Sequence, residues 1–144
     1  MTSHVDSAAI IGVRHITHRR LQWAETDAAG HNHFSAAVRW LEEGEHDLWF
    51  ELGLSEDVVA CPRVHLEINF HDRIYFAEPV EVTVGIARLG NSSITYSTTV
   101  RKENGSLATS CTHTVAYCPT PGGPAERIPD RIRNLLEQQI VLGG

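Results

Sequence analysis

The hydrophobic period of this chain turns helical over one long stretch, and that stretch restricts how it can fold. Between Phe34 and Leu52, Ala37, Leu41, Gly44, Leu48 and Leu52 recur at helical spacing, forming one stripe of a long amphipathic helix. After it the chain alternates with period two. Val64, Leu66, Ile68 and Phe70 share one face, and His65, Glu67, Asn69 and His71 share the other. Val80, Val82, Val84 and Ile86 repeat the pattern, as do Ile94, Tyr96, Thr98 and Val100. Leu107, Thr109, Cys111, His113, Val115 and Tyr117 close the series. Turns are signalled at Gly90-Asn91 and at Asn104-Gly105, the second a type I′ hairpin signature. Connections this short make the four strands antiparallel. Each strand has one apolar face, and the helix is the only large apolar object able to cover it. The expected domain is therefore α+β, an antiparallel sheet curled around one long helix.

Other segments refine this expectation. Val13–Trp23 is the first extended stretch, and its alternation slips between Ile16 and Leu21, as at a bulge or an edge. Glu42, Glu43, Glu45 and Asp47 fall largely off the helical stripe, toward solvent. Gly44 costs a helix interior about 1 kcal/mol against alanine, so its place in the stripe predicts close approach to a strand. Gly53 is expected to end the helix. The Pro119–Pro124 stretch ends the strand region, and Ile132, Leu135, Leu136 and Ile140 suggest a short terminal helix. One domain is expected over residues 1–144, with its core at about 13–120 and a short helical tail.

Composition narrows the class of function. A chain of 144 residues, 42% hydrophobic and 21% charged, buries a core and is not disordered. The net charge is −6, and no basic run exceeds the pair Arg19-Arg20, which argues against a nucleic-acid partner. No apolar run approaches the ~20 residues that span a bilayer. MTSHVDSAAIIG lacks the charged start and apolar stretch of a signal peptide, so a cytoplasmic location is expected. Cys61, Cys111 and Cys118 form no CxxC pair and leave one thiol over in any disulfide scheme. Free thiols in a reducing compartment are expected, and none stands in an activating motif.

The stretch Trp23-Ala24-Glu25-Thr26-Asp27-Ala28-Ala29-Gly30-His31-Asn32-His33-Phe34 carries the chemistry. It ends where the helix begins, beside backbone N–H groups that have no helical acceptor and near the positive end of the helix dipole. Such a site can polarise a carbonyl and hold an oxyanion, while a facing carboxylate attacks the carbonyl or activates water. Asp27 has a plainer reading too, since Asp before Ala-Ala-Gly is ordinary turn-capping chemistry. His31 and His33 could share a metal ion, yet Ala37 and Val38 stand where a carboxylate ligand would be needed, and no HExxH motif is present. No metal and no cofactor are expected, and these histidines are read as structural or substrate-orienting. His113 reads as a satisfied core histidine. Glu25 shares a strand face with Asp27 by i, i+2 spacing and reads as a solvated or salt-bridged neighbour.

The string Glu25-Thr26-Asp27-Ala28-Ala29-Gly30, with Phe34 and then Arg39-Trp40-Leu41-Glu42-Glu43, resembles the signature of the 4-hydroxybenzoyl-CoA thioesterase family. The short-chain acyl-CoA thioesterases associated with the Tol–Pal system share that signature, and the likeness spans about residues 13–120. It implies a hotdog fold and a thioesterase acting on acyl-CoA or acyl carrier protein thioesters. In that family Asp27 would be the nucleophile or general base, and the backbone N–H of Phe34 would face the thioester carbonyl. Gly30, His31 and Asn32 would then border the substrate. A homo-oligomer is implied as well, a dimer joined edge to edge or a tetramer built from it. Two departures stand out. Phe34 occupies a position where many relatives carry Tyr or His, a loss that His33 could offset. Asn91-Ser92 stand where some relatives carry Lys or Arg for coenzyme A phosphates. A hotdog dehydratase and a non-catalytic acyl-binding protein are the alternatives.

Overall fold

Six strands make one sheet in the computed structural model, which describes residues 8–144. They are β1 (Arg14–Arg20), β2 (Arg63–Phe70), β3 (Pro79–Leu89), β4 (Ser93–Lys102), β5 (Leu107–Ala116) and β6 (Val141–Gly143). Their order across the sheet is β2-β5-β4-β3-β1-β6. All neighbours pair antiparallel except β1 and β6, a parallel edge that periodicity did not signal. The β4–β5 hairpin turns at Asn104-Gly105, where Gly105 takes a φ of +88°.

The first extended segment stops at Arg20 rather than continuing to Trp23. Trp23–Glu25 instead form one 3₁₀ turn, closed by the Glu25 N–H on the Gln22 carbonyl (2.9 Å) and by the Gln22 N–H on Glu25 Oε1 (2.9 Å). Glu25 is thereby turned off the strand face it was expected to share with Asp27. It is buried rather than solvated, and Oε2 accepts from Trp40 Nε1 (2.8 Å) and Arg19 Nη2 (3.0 Å).

The long helix, α1 (Ala36–Glu51), lies across the concave face of the sheet. It starts two residues later than the apolar pattern, because His33 closes its first turn with its own carbonyl and ring. Ala36 N–H donates to the His33 carbonyl (3.0 Å), and Ser35 N–H donates to His33 Nδ1 (3.2 Å). At the other end Gly53 adopts a φ of +74°. Ala37, Leu41, Gly44 and Leu48 are buried, as the stripe requires. The close approach expected at Gly44 is present: a Cβ there would overlap Cγ2 of Val84 on β3.

Glu45 departs from expectation. It is almost wholly buried, with Oε1 2.6 Å from Arg63 Nη2 and Oε2 3.5 Å from His113 Nε2. Burial pushes its carboxyl up, but hydrogen bonding and charge from His113 and Arg63 outweigh that and hold it below the ordinary value. His113 is buried as expected. Its ring stacks on Tyr96 at 4.5 Å, and the Tyr96 hydroxyl accepts from Trp49 Nε1 (2.6 Å). Its ring nitrogens nonetheless make no contact closer than Glu45 among the described residues, so it is less well satisfied than expected.

A short helix, α2 (Ser55–Val58), leads from α1 toward β2. The tail supplies α3 (Asp130–Leu136), whose Ile132 and Leu136 join Ile128 in the main core. All three cysteines are free thiols; Cys111 and Cys118 are buried and Cys61 half-buried. Burial pushes the Cys111 thiol up to about 12, which keeps it protonated and unreactive. Among the described residues no helix is long and apolar enough to cross a membrane.

Candidate active site

Asp27 opens a tight turn. Gly30 N–H donates to the Asp27 carbonyl (3.0 Å), and Gly30 takes the positive φ, +85°, that closes it. Asp27 N–H then donates to the His31 carbonyl (2.8 Å). The side chain does cap this turn, since Oδ1 accepts the Ala29 N–H at 2.9 Å. That bond uses one carboxylate oxygen. The other, Oδ2, lies 3.4 Å from His31 Nδ1 in a half-exposed position.

The two ends of the turn are tied to the core. His33 N–H donates to the carbonyl of buried Glu25 (2.8 Å), and Asn32 pairs with Ile74 on the β2–β3 connection. This docking brings the turn against the end of β2. Asp27, His31, Asn32, His33 and Phe34 on one side, with Phe70, His71, Asp72, Arg73 and Tyr75 on the other, line a cavity of about 770 Å³. Phe34 is exposed at its rim, and among the described residues its N–H donates to no acceptor. Its ring stacks obliquely on that of His33 at 4.4 Å.

Five of the six residues singled out from the sequence therefore meet at one cavity. Gly30 does not; it serves the turn and is exposed outside the lining. His33 lines the cavity, but its Nδ1 is committed to Ser35, with Oγ at 2.8 Å, so only Nε2 is left to face a ligand. The opposing wall, from Phe70 to Tyr75, was missed. Its residues carry no motif, and strand alternation marks Phe70 and His71 only as two faces of β2. Among the described residues no group of three His, Cys, Asp or Glu side chains is placed to hold a metal ion.

Residues 29–109, more than half of the chain, match the thioesterase superfamily. The chain belongs to this family. No curated protein matches it in sequence. Among solved structures, a protein from Bacillus stearothermophilus described as a predicted thioesterase is 26% identical with a TM-score of 0.78, covering 91% of this chain and 99% of that one. A hypothetical protein from Thermus thermophilus is 29% identical with a TM-score of 0.73, covering 84% and 95%. The Synechocystis 1,4-dihydroxy-2-naphthoyl-CoA thioesterase is 17% identical with a TM-score of 0.77 over 85% and 95%, a likeness of fold alone. The hotdog fold implied by the sequence resemblance is thus the fold of this thioesterase-superfamily chain. The matched span begins within the Asp27–Gly30 turn and covers α1 and the strands through the start of β5.

Proposed function

We propose that this chain hydrolyses acyl thioesters carried on coenzyme A or an acyl carrier protein, with Asp27 as the acting carboxylate. The observation that carries this reading is the division of labour on Asp27. Oδ1 is bound to the Ala29 N–H, which orients the group, while Oδ2 remains beside His31, and Asp27 and Phe34 line the same cavity. A thioester carbonyl seated between them meets a base on one side and a hydrogen-bond donor at the positive end of α1 on the other.

In the proposed reaction, Oδ2 accepts a proton from water as the water oxygen bonds to the carbonyl carbon. The tetrahedral oxyanion is held by the Phe34 N–H. The carbon–sulfur bond then breaks, and the thiolate recovers the proton from Asp27, leaving a carboxylic acid and a free thiol. Direct attack by Oδ2 on the carbonyl would use the same oxygen and the same donor. No cofactor takes part in either route. Thiol release by the purified protein over a panel of acyl-CoA substrates, with Asp27→Asn as the control, tests the proposal. Binding of acyl-CoA without thiol release would favour the non-catalytic acyl-binding alternative.

The same reading includes a homo-oligomer. Among the described residues β2 ends the sheet with an unpaired edge, and Val64, Leu66 and Phe70 are exposed along it. Phe70 also lines the cavity, so a second copy pairing along this edge would complete the wall of the site. Light scattering that reports a monomer at micromolar concentration would overturn this part of the proposal.

A further inference from the structure

Arg73 lines the cavity, and the nearest charge to it in sequence is Asp72. Its own N–H donates to Asp72 Oδ1 (2.8 Å), but the guanidinium makes no hydrogen bond or salt bridge among the described residues. Asp72 divides its charge between the two cations, because its Oδ2 also receives Lys102 Nζ at 3.2 Å. Among the described residues no other Lys or Arg lines the cavity.

The pairing of the two walls places Arg73. His31 and Tyr75 form an antiparallel bridge, and Asn32 N–H donates to the Ile74 carbonyl at 2.8 Å. Arg73 directly precedes Ile74 on that wall, and His33 directly follows Asn32 on the facing one. Ile74 is fully buried, so it points into the core. His31, His33, Arg73 and Tyr75 all line the cavity, and the rings of His31 and Tyr75 meet edge to face at 6.3 Å. Arg73 thus stands on the wall that faces both Asp27 and Phe34 across the cavity.

We propose that Arg73 is a further catalytic group, whose guanidinium donates to the thioester carbonyl oxygen alongside the Phe34 N–H and stabilises the oxyanion as it forms. This rests on the thioester hydrolase reading above. The charge suits the step, because negative charge grows on that oxygen while water adds. A planar guanidinium that makes no salt bridge among the described residues is a strong donor there. It also supplies the polar contact that Phe34 cannot offer from its own side chain.

The test compares wild type with Arg73→Gln and Arg73→Lys on an acyl-CoA and on the matching N-acetylcysteamine thioester, which carries no phosphate. The expected result for Arg73→Gln is a kcat lower by about 100-fold on both substrates, in the range for loss of one oxyanion donor. Partial recovery is expected in Arg73→Lys, and in Arg73→Gln when guanidinium ion is added. A kcat within threefold of wild type on both substrates overturns the proposal and leaves the hydrolase reading intact. So does a loss confined to KM for the acyl-CoA, which would make Arg73 a phosphate anchor. If wild type releases no thiol from either substrate, the hydrolase reading fails and this role with it. Arg73 is exposed and makes no side-chain hydrogen bond among the described residues, so both variants are expected to fold, as circular dichroism will report.

Discussion

Asn32 holds Ile74 by two bonds at once. Its backbone N–H donates to the Ile74 carbonyl at 2.8 Å, and its side-chain Oδ1 accepts the Ile74 N–H at 2.9 Å. These bonds close the cavity, since they fix the Asp27 turn against the segment that carries Arg73 and Tyr75. Asn32 is thus the clasp between the two walls as well as part of the cavity lining.

Replacing Asn32 with Ala strands the N–H of a fully buried residue. The expected cost is about 1–3 kcal/mol of folding stability, measured by urea denaturation. Asn32→Asp retains the acceptor oxygen and is expected to lose less. A stability equal to wild type in Asn32→Ala would show that the clasp does not hold the walls together.

Asp27 separates chemistry from architecture. Asn at this position still offers Oδ1 to the Ala29 N–H, so Asp27→Asn is expected to melt close to wild type. Its kcat should fall by roughly 100-fold or more with KM little changed, because the base is gone and binding groups remain. Asp27→Ala should match that kinetic loss and also cost about 0.5–2 kcal/mol, the usual range for a lost side-chain cap. Steady-state kinetics with parallel thermal melts check both, and a kcat within about threefold of wild type in Asp27→Asn would leave the carboxylate with its capping role alone.

Gly44 and Val84 form a close contact that forbids a side chain on the helix. Alanine would gain about 1 kcal/mol in helix propensity, yet its Cβ would overlap Val84 Cγ2, a stiff and fully buried methyl group. Overpacking should win, and Gly44→Ala is expected to lose about 1–3 kcal/mol. Val84→Ala opens the space that the new methyl needs. The double variant should therefore be more stable than the sum of the single losses, a coupling read from a four-protein denaturation cycle.

Glu45 makes stability depend on acid. Its carboxyl is held below the ordinary value in the folded protein by His113 and Arg63, working against burial. A depressed carboxyl contributes fully above its unfolded value, about 4.3. The contribution is lost as pH falls through the lower folded value. Denaturation free energy measured from pH 7 down to pH 3 should fall across that window in wild type, and more gently in Glu45→Gln. At pH 7 the substitution itself is expected to cost about 1–3 kcal/mol, since Arg63 keeps partial access to water once its buried partner is gone. Parallel pH profiles for the two proteins would remove Glu45 from the acid response.

Alternating Val, Ile and Thr by itself determined where β2 to β5 run, and one helical stripe determined α1 and its contact at Gly44. Asp27, His31, Asn32, His33 and Phe34 could be read as one site because the turn and helix start that gather them are local, within a dozen residues. What only the tertiary structure decided involves partners far apart in the chain. Arg73 reaches the site through the pairing of His31 with Tyr75, across 44 positions. Glu45 looks solvent-facing by its own helical period, and it is buried because α1 is seated so deeply in the curved sheet that Arg63 and His113 close over it. Glu25 was misplaced for a related reason: a backbone hydrogen bond back to Gln22 replaced the strand geometry that alternation assumes. Periodicity reports which way a side chain leaves its own element. Burial and partnership depend on how deeply and at what register that element meets the others, and those follow from the packing of the whole sheet against the helix.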